Sequence, residues 1–397
     1  MVRGRGLGNP RMSGPLSDVM ILDLTRLQPG NYATMLLADL GADVVKVEEP
    51  GRGDYARWMG PMVGTSSAMH QVMNRNKRSV TLNLKAHQAA EIFLKLVATA
   101  DVVIESFRPG VMDRLGFGYE RLKEANPDLI YAAITGFGQD GPYRLHVGHD
   151  INYIAIGGLL ETTGEPGGPP VLPSVQVADL SGAMMAVVGV LAALHRRTAK
   201  GEGEFVDVGM MDAAVSWLAL HLAGWFAGDD QLERGAGLLN GGYPFYRVYR
   251  CADGRYLSVG AIEPQFWEAV CNTIGLEELT AEQFAQEPRR SEIHRILESR
   301  FESKTRDDWV LTFAGIDACV APVNDFEEMA SDPQVTAREM ILDGKALRQM
   351  GIPLKFAVNP GSVRRPAPEL GEHNAEIYEA LGVEAHEIAR LQAGGVI

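Results

Sequence analysis

The chain has 397 residues, 46% of them hydrophobic, and a formal net charge of −14 from 37 basic and 51 acidic side chains. That length supports about two to three domains around real cores, and the acidic balance excludes an extended nucleic-acid footprint. It leaves room for a local basic pocket that takes a small polyanion, with Arg75, Lys77, Arg78, Lys85 and Arg108 as the candidates.

Residues 1–13 read as a disordered extension: MVRGRGLGNPR is basic and Gly-rich, has no apolar stretch of the secretory kind, and leaves Met12 as an alternative start. Val19–Leu24 then predicts a strand, Asn31–Leu40 a helix closed by Gly41, and Val44–Val47 a second strand running into Glu48-Glu49-Pro50-Gly51. Strand, helix and strand within about 30 residues indicate a parallel sheet. Ser79–Leu84, Val102–Glu105 and Leu129–Thr135 continue it, with a helix over Ala89–Thr99 and two short ones before Pro127. In such a doubly wound α/β unit, ligands sit beyond the carboxyl ends of the strands. The segments Leu27-Gln28-Pro29-Gly30 and Ser106-Phe107-Arg108-Pro109 fall there as loops.

Thr162–Pro173 is a Gly- and Pro-rich loop. A long helix follows over Asp179–Arg197, then a strand at Phe205–Val208 and a single apolar helix over Met210–Phe226. Every apolar run is interrupted by charge, Gly or Pro before the roughly 20 residues that span a bilayer, so no membrane segment is expected. Gly228-Asp229-Asp230 begins a polar linker, which sets the domains: a large α/β domain over 14–228, a linker and small α/β domain over 229–330, and a segment over 331–397 that returns to the large domain. The small domain carries strands at Tyr246–Arg250 and Tyr256–Val259 and helices near Pro264–Ile274, Ser291–Ser303 and Arg306–Gly315. Cys251, Cys271 and Cys319 are odd in number and lack CxxC spacing, which argues against disulfides and zinc and for a reducing, cytoplasmic setting.

No phosphate-binding GxxxxGK[ST], HExxH or GxSxG motif is present. What remains is acid-base chemistry at loop or helix starts: His149 and Asp150 in Gly148-His149-Asp150-Ile151-Asn152-Tyr153, Asp179, and Glu263 before Pro264. Each has an ordinary structural reading as well. His149-Asp150 reads as a capped helix start, Asp179 as a first-turn partner of the helix dipole, and Glu263 as an N-cap. Of the other histidines, His70 and His146 read as loop residues without a partner and His221 as a core residue. Trp225, Phe226, Tyr243, Phe245 and Phe266 fit core packing as well as a hydrophobic pocket.

Together these segments resemble the class III CoA-transferase (CaiB/BaiF) family. The family-wide stretches are LADLGADVVKVE (Leu37–Glu48), NRNKRSVTLNLK (Asn74–Lys85), RPGVMDRLGFGYE (Arg108–Glu120), NPDLIYAAITGFGQDGPY (Asn126–Tyr143) and LGEH (Leu370–His373). GHDINY (Gly148–Tyr153), Leu239–Trp267 and DACVAPV (Asp317–Val323) resemble its α-methylacyl-CoA racemase branch. The resemblance implies a Rossmann-like large domain, a smaller α/β domain and two chains interlocked as a homodimer. It implies an acyl-CoA substrate, with coenzyme A as part of that substrate and no separate cofactor or metal. His149 and Asp179 would be acid-base residues on either side of the acyl α-carbon, supported by Glu263. Gln28, Lys85, Phe107, Arg108, Gly148, Asp150, Asn152 and Tyr153 would contact CoA.

The reaction this implies is inversion of the α-carbon of a 2-methyl-branched acyl-CoA by 1,1-proton transfer. The alternative on the same scaffold is CoA transfer between carboxylic acids, with Asp179 as the nucleophile that becomes an aspartyl thioester. Gln28 in LTRLQPG resembles the transferase branch, whereas Asn240-Gly241-Gly242-Tyr243 is too short for the glycine loop of those enzymes. Glu49 stands where the family often has an Arg that contacts the nucleotide end of CoA.

Overall fold

The computed structural model describes residues 13–228, 233–344 and 346–397. Residues 1–12 of the expected extension and the linker start at Asp229-Asp230 lie outside them. The chain forms two units. One holds the described residues up to Gly157 with Val175–Trp217 and Gln334–Ile397, and the other holds Gly158–Ser174 and Leu218–Pro333. The division therefore falls at Trp217–Leu218 rather than at 228. There the expected helix over Met210–Phe226 breaks into Met210–Ser216 and Ala219–Phe226, a break that the unbroken apolar run does not mark.

The first unit alternates strand and helix: β1 (Met20–Leu24), α1 (Leu27–Asp39), β2 (Asp43–Glu48), β3 (Lys77–Thr81), α2 (Ala89–Thr99), β4 (Val102–Glu105), β5 (Ile130–Thr135), α3 (Asp150–Ile156), α4 (Val177–Lys200), β6 (Glu204–Gly209) and α5 (Met210–Ser216). The six strands form one sheet in the order β3-β2-β1-β4-β5-β6, parallel throughout. The order reverses between β1 and β4, which opens a crevice beyond their carboxyl ends. β1, β4 and β5 are buried at every residue, the mark of a sheet covered on both faces. Met20, Leu22 and Leu24 meet Phe93, Leu96 and Val97 of α2 and Ile377, Tyr378 and Ile388 of the C-terminal segment in one core. By strand alternation Asp23 faces the other side, where Thr34 of α1 donates to it at 2.7 Å.

β3 begins two residues before the expected Ser79 and ends at Thr81. The expected strand starts after Lys77 and Arg78 because charged side chains are seldom buried in a strand, but here acids neutralise both: Lys77 lies 3.0 Å from the buried Asp23 and Arg78 lies 2.6 Å from the partly buried Asp43. Arg75, just before the strand, pairs with Asp39 at 2.6 Å. Three of the five cations proposed for an anion pocket are thus structural. His70 is likewise buried, with its ring between the Pro368 carbonyl at 3.1 Å and the Asn74 amide at 3.1 Å. α4 is, against expectation, long and apolar enough to cross a membrane by length and composition, yet half of that stretch is buried, and it packs against α1 and β5.

The second unit holds α6 (Ala219–Phe226), β7 (Tyr246–Arg250), β8 (Tyr256–Gly260), α7 (Pro264–Ile274), α8 (Arg289–Phe301), α9 (Arg306–Phe313) and β9 (Val320–Pro322). Its sheet is antiparallel, in the order β9-β8-β7. Phe245, Trp267, Phe301 and Trp309 fill its core, which assigns Phe245 to packing. α6 has no buried residue, so His221 is not the core residue expected.

Candidate active site

A cleft of about 520 Å³ occupies the crevice of the first unit. Its walls include Leu24–Arg26 at the end of β1, Val47–Glu49 at the end of β2, Leu82–Lys85 after β3 and Phe107 after β4, together with Asp54, Tyr55 and Arg114. Lys85 and Phe107 are therefore where a ligand at the carboxyl ends would meet them. Arg26 and Arg114, two further cations, were not singled out in the sequence; Arg26 had a signal, since it is the second residue after an apolar strand.

The local structure around Arg26 is unusual. Leu27 has φ of 60°, a left-handed conformation that costs a bulky residue about 1–3 kcal/mol. Leu27-Gln28-Pro29-Gly30 is the first turn of α1 rather than the loop expected. That turn lies against Thr25 so closely that a Cβ on Gly30 would stand 2.0 Å from the Thr25 side chain. Below it, Lys46 donates to the Thr25 carbonyl at 2.9 Å and lies 3.1 Å from Asp54. At the cleft mouth the exposed Lys85 is 3.5 Å from Glu49.

Beyond β5, two helix starts adjoin. His149 is the N-cap of α3, and its N–H donates to Asn152 Oδ1 at 3.0 Å. The capping acceptor is therefore Asn152, while Asp150 reaches to the next helix: its Oδ1 accepts from the N–H of Ala178 at 2.6 Å and of Asp179 at 3.2 Å. Tyr153 is buried, its ring so close to Gly136 and Gly148 that a Cβ on either would lie under 3 Å away, and its hydroxyl donates to the Gly148 carbonyl at 2.6 Å. Asp150 thus ties the start of α3 to that of α4, Asn152 and Tyr153 order the α3 start itself, and His149 remains exposed at the junction.

Asp179 sits in the first turn of α4, where the helix dipole favours the carboxylate. Burial outweighs it and, reinforced by the Asp150 charge, pushes the carboxyl up to about 7. Burial, with Asp179 and Asp150 adding to it against Arg108, pushes Tyr153 up to about 12, so Arg108 shares this electrostatic neighbourhood. Glu105, which accepts from the Phe107 N–H at 2.6 Å, is raised by burial to about 8. In the second unit, Glu263 is the N-cap of α7 by position and Pro264 is its first residue, but the carboxylate makes no cap hydrogen bond and is exposed.

Residues 16–374 match the sequence profile of CoA-transferase family III. The chain belongs to CoA-transferase family III. Among similar proteins, the human succinyl-CoA:glutarate CoA-transferase is 34% identical over 99% of this chain and 94% of its own. The human alpha-methylacyl-CoA racemase is 35% identical over 96% and 97%. A crystal structure of a CAIB/BAIF family protein from Brucella suis superposes with a TM-score of 0.83 at 32% identity, covering 93% of this chain and all of that one. As a family III enzyme the chain acts on an acyl-CoA. The family spans both reactions at near-equal identity, so the choice between them rests on the site.

Proposed function

We propose that this family III enzyme is a racemase or epimerase that inverts the α-carbon of a 2-methyl-branched acyl-CoA. The observation that carries the reading is the placement of Asp179 in the first turn of α4 against the Asp150 carboxylate, where burial and that neighbouring charge raise its carboxyl to about 7, toward the protonated form that can deliver a proton. The α-proton of a thioester is weakly acidic, so its removal needs a positioned base and exclusion of water. Inversion needs a second acid on the opposite face. The His149 imidazole takes the proton from one face, Asp179 delivers one to the other, and the roles reverse for the other enantiomer. Glu263, whose carboxylate makes no hydrogen bond among the described residues, is the proposed support of His149. CoA is proposed to lie along the crevice from Lys85 and Phe107 toward Arg108 and Gly148, and the active species is a homodimer.

The second reading is CoA transfer, favoured by the similarity to the human succinyl-CoA:glutarate CoA-transferase and by Gln28 in the first turn of α1. It requires an ionised Asp179 and has no use for His149. Incubating the enzyme with a 2-methylacyl-CoA in deuterium oxide, without a second carboxylic acid, separates the two. The racemase exchanges the α-proton, and His149→Ala stops exchange while CoA still binds. No exchange across a panel of branched acyl-CoAs, with CoA passing to added free acids and an aspartyl-CoA adduct trapped by mass spectrometry, would overturn the racemase in favour of the transferase.

A further inference from the structure

The cleft holds two kinds of cation. Lys85 is 76% exposed on a flexible stem and is partly neutralised by Glu49, so an anion would have to displace a carboxylate and order the side chain. Arg26 is half-buried, and among the described residues it has no ion pair. Its guanidinium lies 5.6 Å from the Tyr55 ring and 5.4 Å from the Phe107 ring. A planar guanidinium held between two rings is already ordered, so little entropy is lost when it meets an anion.

The same two segments that supply those rings also fix the backbone beneath Arg26. Ser106, beside Phe107, accepts the Arg26 N–H at 3.0 Å. Asp54, beside Tyr55, accepts the N–H of the left-handed Leu27 at 3.2 Å. The other Asp54 oxygen takes the Asn31 amide at 2.7 Å and the Lys46 ammonium at 3.1 Å. These three polar partners of Asp54 belong to the start of α1 or to β2 of the sheet below it. Were Leu27 to relax to a right-handed or extended conformation, the direction of the chain at Arg26 would change and the stack with Tyr55 and Phe107 would be lost.

We propose that Arg26 is the preorganised phosphate-holding cation of the cleft and that Asp54 is its positioning residue, acting through the left-handed Leu27. The anion is a phosphate at the nucleotide end of a CoA ester; this rests on the reading that CoA lies in the crevice. Asp54 lines the cleft wall, and its proposed part there is to position Arg26 rather than to bind the anion. Its effect reaches the phosphate only through the backbone of Leu27 and the side chain of Arg26.

The test uses the full chain, free CoA in calorimetry, and acyl-CoA beside the matching acyl-pantetheine, which has no phosphate. Arg26→Ala is expected to weaken CoA binding by about tenfold, the loss of one charge-assisted contact, and to lower the ratio of kcat/KM for acyl-CoA over acyl-pantetheine by the same factor. Arg26→Lys recovers part of it. Asp54→Asn raises KM for acyl-CoA rather than lowering kcat. Adding Leu27→Gly to Asp54→Asn restores KM, because glycine takes a positive φ without a Cβ clash, while the melting temperature stays low because the charge facing Lys46 is still missing. CoA bound equally by Arg26→Ala and by the unaltered chain overturns the inference, as does a double variant that recovers stability but not KM. An unaltered chain that fails to bind CoA at all overturns the underlying CoA reading instead.

Discussion

Asp150 does two opposed things to its neighbour. Its oxygen satisfies the N–H groups of Ala178 and Asp179, which orders the start of α4, and its charge then disfavours ionisation of the carboxyl that the helix presents. Asp150→Asn keeps an oxygen for those N–H groups and removes the charge. The sign follows directly: without a neighbouring anion, the Asp179 carboxyl ionises at lower pH. If the enzyme is the proposed racemase, then in the direction in which Asp179 donates the proton kcat/KM falls as pH rises through about 7, and in the variant that falling limb moves to lower pH. A transferase with an ionised nucleophile would instead gain activity as pH rises through the same region. A pH profile of both proteins whose limb does not move would show that Asp150 only orders the helix. The motif around His149 was legible because Gly, His, Asp and Asn crowd into six residues. The partner of Asp150 was not, since it lies on a helix that begins after a long Gly- and Pro-rich loop and becomes adjacent only when α3 and α4 pack.

The segment Asn74–Thr81 shows why an element rich in charge misleads at the sequence level. Arg75, Lys77 and Arg78 suggested a pocket for a polyanion. All three are buried, and each meets an acid from α1, β1 or β2. Periodicity detects buried apolar positions, whereas a buried ion pair requires knowing which two segments become neighbours, and parallel pairing of β3 with β2 is a long-range fact. Arg75 illustrates the energetics. It makes two bonds to Asp39, from Nε at 3.1 Å and from Nη2 at 2.6 Å, and a third to the Met350 carbonyl at 2.5 Å. Arg75→Ala leaves the Asp39 carboxylate buried without that counter-charge, which typically costs about 3–5 kcal/mol. Urea unfolding at fixed protein concentration should show a loss of that size, with CoA binding to the remaining folded fraction unaltered because Arg75 does not line the cleft. A selective loss of CoA affinity without loss of stability would return Arg75 to the list of ligand contacts.

At the scale of the molecule, the parallel sheet was readable because short apolar strands alternate with helices of regular spacing, and a sheet wound in this order places its crevice by topology alone. The break at Trp217–Leu218 was not readable, and it divides helices with different surroundings. α5 keeps buried residues in the first unit, while α6 in the second unit buries none and exposes Leu220, Trp225 and Phe226, the last at 74%. In the first unit, α4 separately exposes Met184, Val188 and Leu191, spaced four and three residues apart on one helical face, with Val188 at 54%. Exposed apolar side chains grouped on one helix face are unfavourable in water, which is the physical support for the proposed homodimer. Light scattering of the unaltered chain should then give about twice the chain mass of 43.1 kDa. Val188→Glu places a charge in the α4 stripe without touching the sheet core, and is expected to shift the population toward single chains at low micromolar concentration, since an unpaired charge in a desolvated interface is costly. If the unaltered chain scatters as a single copy at that concentration, the exposed faces of α4 and α6 meet something other than a second chain, and the dimer is lost from the proposal.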